Sequence, residues 1–255
     1  MCNFIFSMNT LRQHLPNLFT AVNLLSGCIA IMLVLQFQFE AAFGFFLVGI
    51  IADLLDGMVA RLLHATSQLG AELDSLADMI TSGVLPGVMA YQLMVSNGAR
   101  LFEWNVQWEG HRVFLSVSPL AIVGFLITAG AAYRLAKFNL DTEQTYEFKG
   151  LPTPANALFF MGYPFLVAHP IFRPLKDLLT TPYFIMGLSV ISMVLMNAPL
   201  RMFSLKLRGL TGQHLLFPAL LVLGLAPLYY FFQWGAFSLI VMFYLLLSVV
   251  KKAVF

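Results

Sequence analysis

Apolar residues in this chain fall into runs of membrane-spanning length, and that pattern limits the fold more than any single motif does. A helix needs roughly 20 mostly apolar residues to cross about 30 Å of hydrocarbon. Eight stretches qualify, at 17–38, 40–63, 71–95, 117–137, 153–169, 182–198, 213–231 and 234–250, each bounded by charges, Pro, Gly or polar residues. With 60% of 255 residues hydrophobic and 10% charged, the chain also lacks the polar surface that a water-exposed globule requires. The expected fold is an all-α, polytopic membrane bundle of about eight helices with short loops. A disordered chain is excluded by the same composition. Cys2 and Cys28 stand without CxxC or CxxH spacing, which excludes a disulfide framework or a zinc site. A formal net charge of +2 gives no electrostatic footprint for nucleic acid. The first 15 residues carry one Arg and no small-residue cleavage site, so they read as an interfacial approach to the first span rather than a cleaved signal.

Orientation follows from the basic residues. Eight spans put both termini on one side, and that side collects Arg12, Arg61, Arg134, Lys137, Lys149, Arg201, Lys206, Arg208, Lys251 and Lys252. The other side keeps Arg100, Arg112, Arg173 and Lys176. Ten against four places both termini in the cytoplasm. Residues 98–117 then form the largest external loop, with Trp104 and Trp108 as interfacial anchors.

Against this background the acidic residues are misplaced. Five of the 12, Asp53, Asp56, Glu72, Asp74 and Asp78, lie between residues 53 and 78, at the cytoplasmic ends of the second and third spans. An ionised side chain at mid-membrane depth costs about 2.5–3.5 kcal/mol on insertion scales, and the only Lys or Arg in the window is Arg61. Asp53 and Asp56 are spaced i, i+3 on one helix, and Asp74 and Asp78 i, i+4 on the next, so each pair projects from a single face. A short connection makes the two helices antiparallel neighbours. Carboxylates from two facing helices form a hard oxygen cage suited to Mg²⁺ or Mn²⁺, with room for two ions. Gly57 and Arg61 continue the stripe from Asp53 in steps of four: glycine lets a ligand approach the backbone, and arginine offers a planar fork for phosphate. Together they describe a pyrophosphate site. A second reading, an ion-coupled transporter whose aspartates line an aqueous cavity, accounts for either pair but not for the whole string.

That string reads Asp53-x2-Asp56-Gly57-x2-Ala60-Arg61-x8-Gly70-x3-Asp74-x3-Asp78. It resembles, at every fixed position, the signature of the CDP-alcohol phosphatidyltransferase family. The segments Leu15-Pro16-Asn17-Leu18-Phe19-Thr20, Arg134-Leu135-Ala136-Lys137-Phe138-Asn139 and Gly150-Leu151-Pro152-Thr153-Pro154-Ala155 resemble the integral-membrane phosphatidylserine synthase subfamily. Residues 196–206 do so more loosely. Lys137 departs from the subfamily, which has Arg there, exchanging a bidentate fork for a point charge.

The resemblance implies transfer of the phosphatidyl group from CDP-diacylglycerol to L-serine, giving phosphatidylserine and CMP. Carried over residue by residue, Asp53, Asp56, Asp74 and Asp78 would hold two Mg²⁺ or Mn²⁺ ions, and Asp78 would be the general base. Asn17, Thr20, Asp53, Gly57, Arg61 and Ser67 would contact CDP-diacylglycerol, and Arg134, Lys137 and Asn139 would contact serine. Each has an ordinary alternative: Asn17, Thr20 and Ser67 as helix-end caps, Arg134 and Lys137 as snorkelling cytoplasmic cations. The family pattern further implies a homodimer in the plasma (inner) membrane with a cytoplasmic active site. The domain reading is an interfacial segment 1–15, a transferase domain 16–206 and two C-terminal spans in 207–255. The same chemistry with glycerol 3-phosphate or inositol phosphate as acceptor is the alternative, and the transporter remains a third.

Overall fold

The computed structural model describes residues 2–108, 111–140, 148–199, 201–202 and 212–254. Helices α1 (Cys2–Leu35), α2 (Phe39–Leu62), α3 (Gln68–Asp78) and α4 (Leu85–Ser96) come first, with a π-helical turn at Met79–Val84 between α3 and α4. A hairpin of β1 (Phe102–Trp108) and β2 (His111–Val117) follows. The remainder is α5 (Pro119–Ile122), α6 (Leu126–Leu140), β3 (Phe148–Lys149), α7 (Thr153–Ala168), α8 (Lys176–Thr180), α9 (Pro182–Asn197), β4 (Arg201–Met202), α10 (Gly212–Phe232) and α11 (Ala236–Val254). The chain divides into two units, Met1–Leu85 and Pro86–Phe255.

Polarity is arranged as lipid requires. The buried stripe of α1 is Pro16, Thr20, Asn23, Ser26, Gly27, Ala30 and Val34, whereas Leu18, Leu25 and Met32 are about 60% exposed. In α2 the buried face is Ala42, Phe43, Phe46, Gly49, Ala52 and Asp56, with Val48, Ile51, Leu54 and Leu62 outside. Hydrocarbon solvates leucine as well as a protein core does, so small and polar residues take the helix contacts and large apolar ones face outward.

Among the described residues, five helical segments are long and apolar enough to cross a membrane: Leu15–Leu35, Phe39–Leu62, Gln68–Ser96, Pro119–Leu140 and Leu223–Ser248. The protein is a multi-pass membrane helix bundle. The last of these segments runs across the two spans expected at 213–231 and 234–250, and two other expected spans take other forms. α7 turns through 89° into the helical segment Pro170–Thr180, at a break where the His169 ring accepts from the Ile171 amide. α9 has 16 residues, a rise of about 24 Å.

The loop expected at 98–117 pairs as an antiparallel hairpin, Phe102 opposite Val117 through Trp108 opposite His111. Its signal was the alternation Phe102, Trp104, Val106, Trp108 and then Val113, Leu115, Val117, a period of two. Glu109 at its tip lies outside the described residues.

Within the first unit, α1 and α2 are joined by residues 36–38, with Phe37 in the left-handed region (φ 61°). The α2 end closes in a Schellman turn. The Ala65 amide donates to the Ala60 carbonyl (2.9 Å) and the His64 amide to that of Arg61 (3.3 Å), with His64 at φ 49°.

Three elements meet closely below the aspartates. A Cβ built on Gly27 of α1 would lie 2.5 Å from Thr81 Cγ2, and one on Gly49 of α2 would lie 3.2 Å from the same methyl. Thr81 also donates to the Ala77 carbonyl (3.1 Å) within the π-helical turn. Gly27→Ala is therefore expected to destabilise the fold by about 1–3 kcal/mol, as overpacking typically does, and so to lower the melting temperature. Adding Thr81→Ser, which removes the obstructing methyl and keeps the hydroxyl, should restore most of it. Thermal unfolding in detergent checks both, and an unchanged Gly27→Ala melting point would refute the close packing.

Candidate functional site

Asp53 and Asp56 lie on α2 and Asp74 on α3, and one carboxylate oxygen from each falls within a 4.8 Å group. Helical spacing brings the first two together; the turn at residues 63–67 brings the third. That turn is fixed locally. Ser67 caps α3, its hydroxyl accepting from the Gly70 amide at 3.0 Å. A Cβ on Gly70 would sit 3.1 Å from Ser67 Oγ and 3.4 Å from Asn17 Oδ1, so the bare glycine lets α1 approach the α3 N-terminus. The fixed glycine of the sequence string thereby acquires a packing reason.

Each carboxylate has a distinct environment. Asp56 is buried and accepts from the Thr20 hydroxyl at 2.7 Å. Asp74 Oδ1 is buried and has no hydrogen-bond partner among the described residues. Asp78, one turn beyond Asp74, accepts at Oδ1 from Asn23 Nδ2 at 3.3 Å and lies outside the group of three. Two ionised carboxylates 4.8 Å apart repel by roughly 3 kcal/mol at an effective dielectric constant of about 20. An orphaned buried oxygen and converging acidic oxygens are what a hard divalent cation satisfies. The residues present therefore fit such an ion.

Beside the carboxylates there is room. Gly57 has nothing within 4 Å of a built Cβ, and Arg61, in the last turn of α2, is exposed. Of the residues expected to contact CDP-diacylglycerol, Thr20 is thus tied to Asp56, Asn17 and Ser67 flank Gly70, and Gly57 and Arg61 face open space. All belong to the first unit.

Arg134, Lys137 and Asn139 belong to the second, in the latter half of α6. Lys137 and Asn139 are exposed. Arg134 is half-buried, and its Nε is buried without a hydrogen-bond partner among the described residues. On α7, Asn156 accepts from the Ser192 hydroxyl of α9, while its buried Nδ2 has no partner among the described residues.

Sequence reasoning passed over Asn23 and Asn156. The signal for Asn23 was present as polar residues at steps of three along the first span, Asn17, Thr20, Asn23 and Ser26. For Asn156 the sequence offered only a polar residue inside an apolar run.

Comparison with known proteins agrees with this construction. The profile of CDP-alcohol phosphatidyltransferases matches residues 13–195. A Helicobacter pylori protein named CDP-diacylglycerol–serine O-phosphatidyltransferase is 37% identical over 145 residues, covering 56% of this chain and 54% of its own. Proteins of the same name from Mycobacterium tuberculosis and Bacillus subtilis are 34% and 33% identical, over 59% and 56% of this chain and 48% and 70% of theirs. The aligned part thus spans about half the length of the first two relatives. The profile match takes in every carboxylate of the site and most of the spans that carry it, and on that ground the chain belongs to the CDP-alcohol phosphatidyltransferase family.

Proposed function

We propose that this protein transfers the phosphatidyl group of CDP-diacylglycerol to L-serine, releasing CMP. The observation that carries the reading is the convergence of Asp53, Asp56 and Asp74 from two helices within 4.8 Å, inside the segment that matches the family. The names of the relatives support serine as acceptor. In this reading Asp53, Asp56 and Asp74, with Asp78 alongside, hold two Mg²⁺ or Mn²⁺ ions. Such ions, when bound, neutralise charge on the pyrophosphate and on departing CMP.

The chain's own residues do the rest. Gly57 leaves space for the pyrophosphate, Arg61 pairs with a phosphate oxygen, and Asn17, Thr20 and Ser67 border the nucleotide. Asp78 takes the proton of the serine hydroxyl as its oxygen attacks the diacylglycerol-linked phosphorus. The bond from that phosphorus to the bridging oxygen breaks, and CMP leaves with the electron pair. Transfer is direct, with no covalent enzyme intermediate. Arg134, with its unpartnered Nε, binds the serine carboxylate, helped by Lys137 and Asn139. The remaining features of the proposal are eight spans, a transferase domain over 16–206 followed by two spans in 207–255, and a homodimer. Its active site and both termini face the cytoplasm at the inner membrane.

The test is CMP release by purified protein from CDP-diacylglycerol and Mn²⁺, with L-serine, glycerol 3-phosphate, inositol phosphate or no acceptor. Serine-dependent release is expected. Release with a phosphorylated acceptor alone would transfer the chemistry to that acceptor, and ion flux into sealed vesicles without CMP would favour a transporter.

A further inference from the structure

The interior of the first unit contains an amide that the proposed chemistry has not used. Asn23 lies midway along the first membrane-spanning segment and is 0% exposed, where a leucine would fill similar space without a polar group to satisfy. Its Nδ2 donates to Asp78 Oδ1 at 3.3 Å. Its Oδ1 is buried and has no hydrogen-bond partner among the described residues. The amide is therefore retained with half of its hydrogen-bonding capacity unused, and the half that is used points to Asp78.

Packing fixes which half that is. A Cβ on Gly49 would lie 3.1 Å from Asn23 Oδ1 and 3.2 Å from Thr81 Cγ2, so the carbonyl end is seated against bare α2 backbone beside Thr81. Only the nitrogen end can donate to a carboxylate. Asp78 needs a lateral hold because it is the last residue of α3: Met79–Val84 continues as a π-helical turn, whose hydrogen-bond register differs from that of the helix bearing Asp74.

We propose that Asn23 is a positioning residue for Asp78, occupying one carboxylate oxygen so that the other is directed at the acceptor hydroxyl. The inference rests on the phosphatidyltransferase reading of Asp78 given above. Asn23 touches neither substrate nor metal in this role; it acts through Asp78. Of the four carboxylates proposed to hold the ions, Asn23 bonds Asp78, whereas Asp56 accepts from Thr20 and the converging oxygens of Asp53, Asp56 and Asp74 form a group of their own.

The experiment compares wild type with Asn23→Leu and Asn23→Asp in detergent. It measures kcat and KM for CDP-diacylglycerol with saturating serine, the melting temperature, and the rise in melting temperature on adding Mn²⁺ alone. Both variants are expected to lose about 10- to 100-fold in kcat, as removal of a partner orienting a reacting group does, with KM and the Mn²⁺-induced rise within about twofold of wild type. Asn23→Leu should stay folded but melt somewhat lower than wild type, because it leaves the Asp78 oxygen without its donor. Wild-type kcat in Asn23→Leu would overturn the inference. So would loss of folded protein in both variants, which would make Asn23 part of the scaffold, or loss of the Mn²⁺ response, which would make it part of the cage. A wild type that releases no CMP would instead remove the phosphatidyltransferase reading itself, and this inference with it.

Discussion

Asp74→Asn is expected to cut serine-dependent CMP release by roughly 10²–10³-fold, the scale seen when one preorganised electrostatic group is removed from an active site. The substitution preserves shape and removes one charge from three carboxylates whose oxygens lie within 4.8 Å. Two further consequences separate a metal role from general damage. In chelator, Asp74→Asn should melt at or above the wild-type temperature, because repulsion among the acidic groups is relieved. In Mn²⁺, the rise in melting temperature should shrink, because a ligand stabilises only to the extent that it binds the folded state. Activity should recover in part at raised Mn²⁺. A variant that melts lower in chelator and responds normally to Mn²⁺ would show that Asp74 serves the scaffold instead.

Asp78→Asn is expected to lower kcat by roughly 10²–10⁴-fold, the usual worth of a well-placed general base. A serine hydroxyl is a poor nucleophile at neutral pH, and the amide cannot take its proton. The side-chain oxygen of the replacement can still accept from Asn23, so the first unit should fold as before. KM for CDP-diacylglycerol should stay within about threefold, because the residues proposed to contact the nucleotide lie elsewhere, on α1, on α2 and at the start of α3. Most of the Mn²⁺-induced stabilisation should also survive, in contrast to Asp74→Asn, because Asp78 stands outside the group of three. Full turnover in Asp78→Asn would end its assignment as base.

The contrast between these two variants comes from structure. Regular spacing made four aspartates look equivalent, two on each of two helices. Folding separates them: Thr20 holds Asp56, Asp74 keeps an orphaned oxygen, and Asn23 takes Asp78 aside. The partners on α1 are 36 and 55 residues away from the aspartates they bind, and no local periodicity encodes a contact at that range.

Other differences have equally local causes. The hairpin at 102–117 was legible as period-two alternation, yet two tryptophans beside an expected membrane surface read as anchors in a loop. Hydropathy shows where a chain can be buried in lipid and says little about its direction, so the 89° turn after Ala168 was not visible in it. Gly70 stood in the string as a fixed position with no physical reason attached, and it is where α1 meets the turn before α3.

Sequence alone determined that this chain is a helical membrane protein, because too few of its residues can face water. It also led to the expectation that Asp53, Asp56, Asp74 and Asp78 would meet, from helical periodicity and a short turn, and the first three do converge. Tertiary structure decided which of them gain a partner from α1, Asp56 from Thr20 and Asp78 from Asn23. The packing of Gly27 and Gly49 against Thr81 draws α1 close enough for Thr20 and Asn23 to reach carboxylates far along the chain, a proximity that only side-chain volume in three dimensions can set.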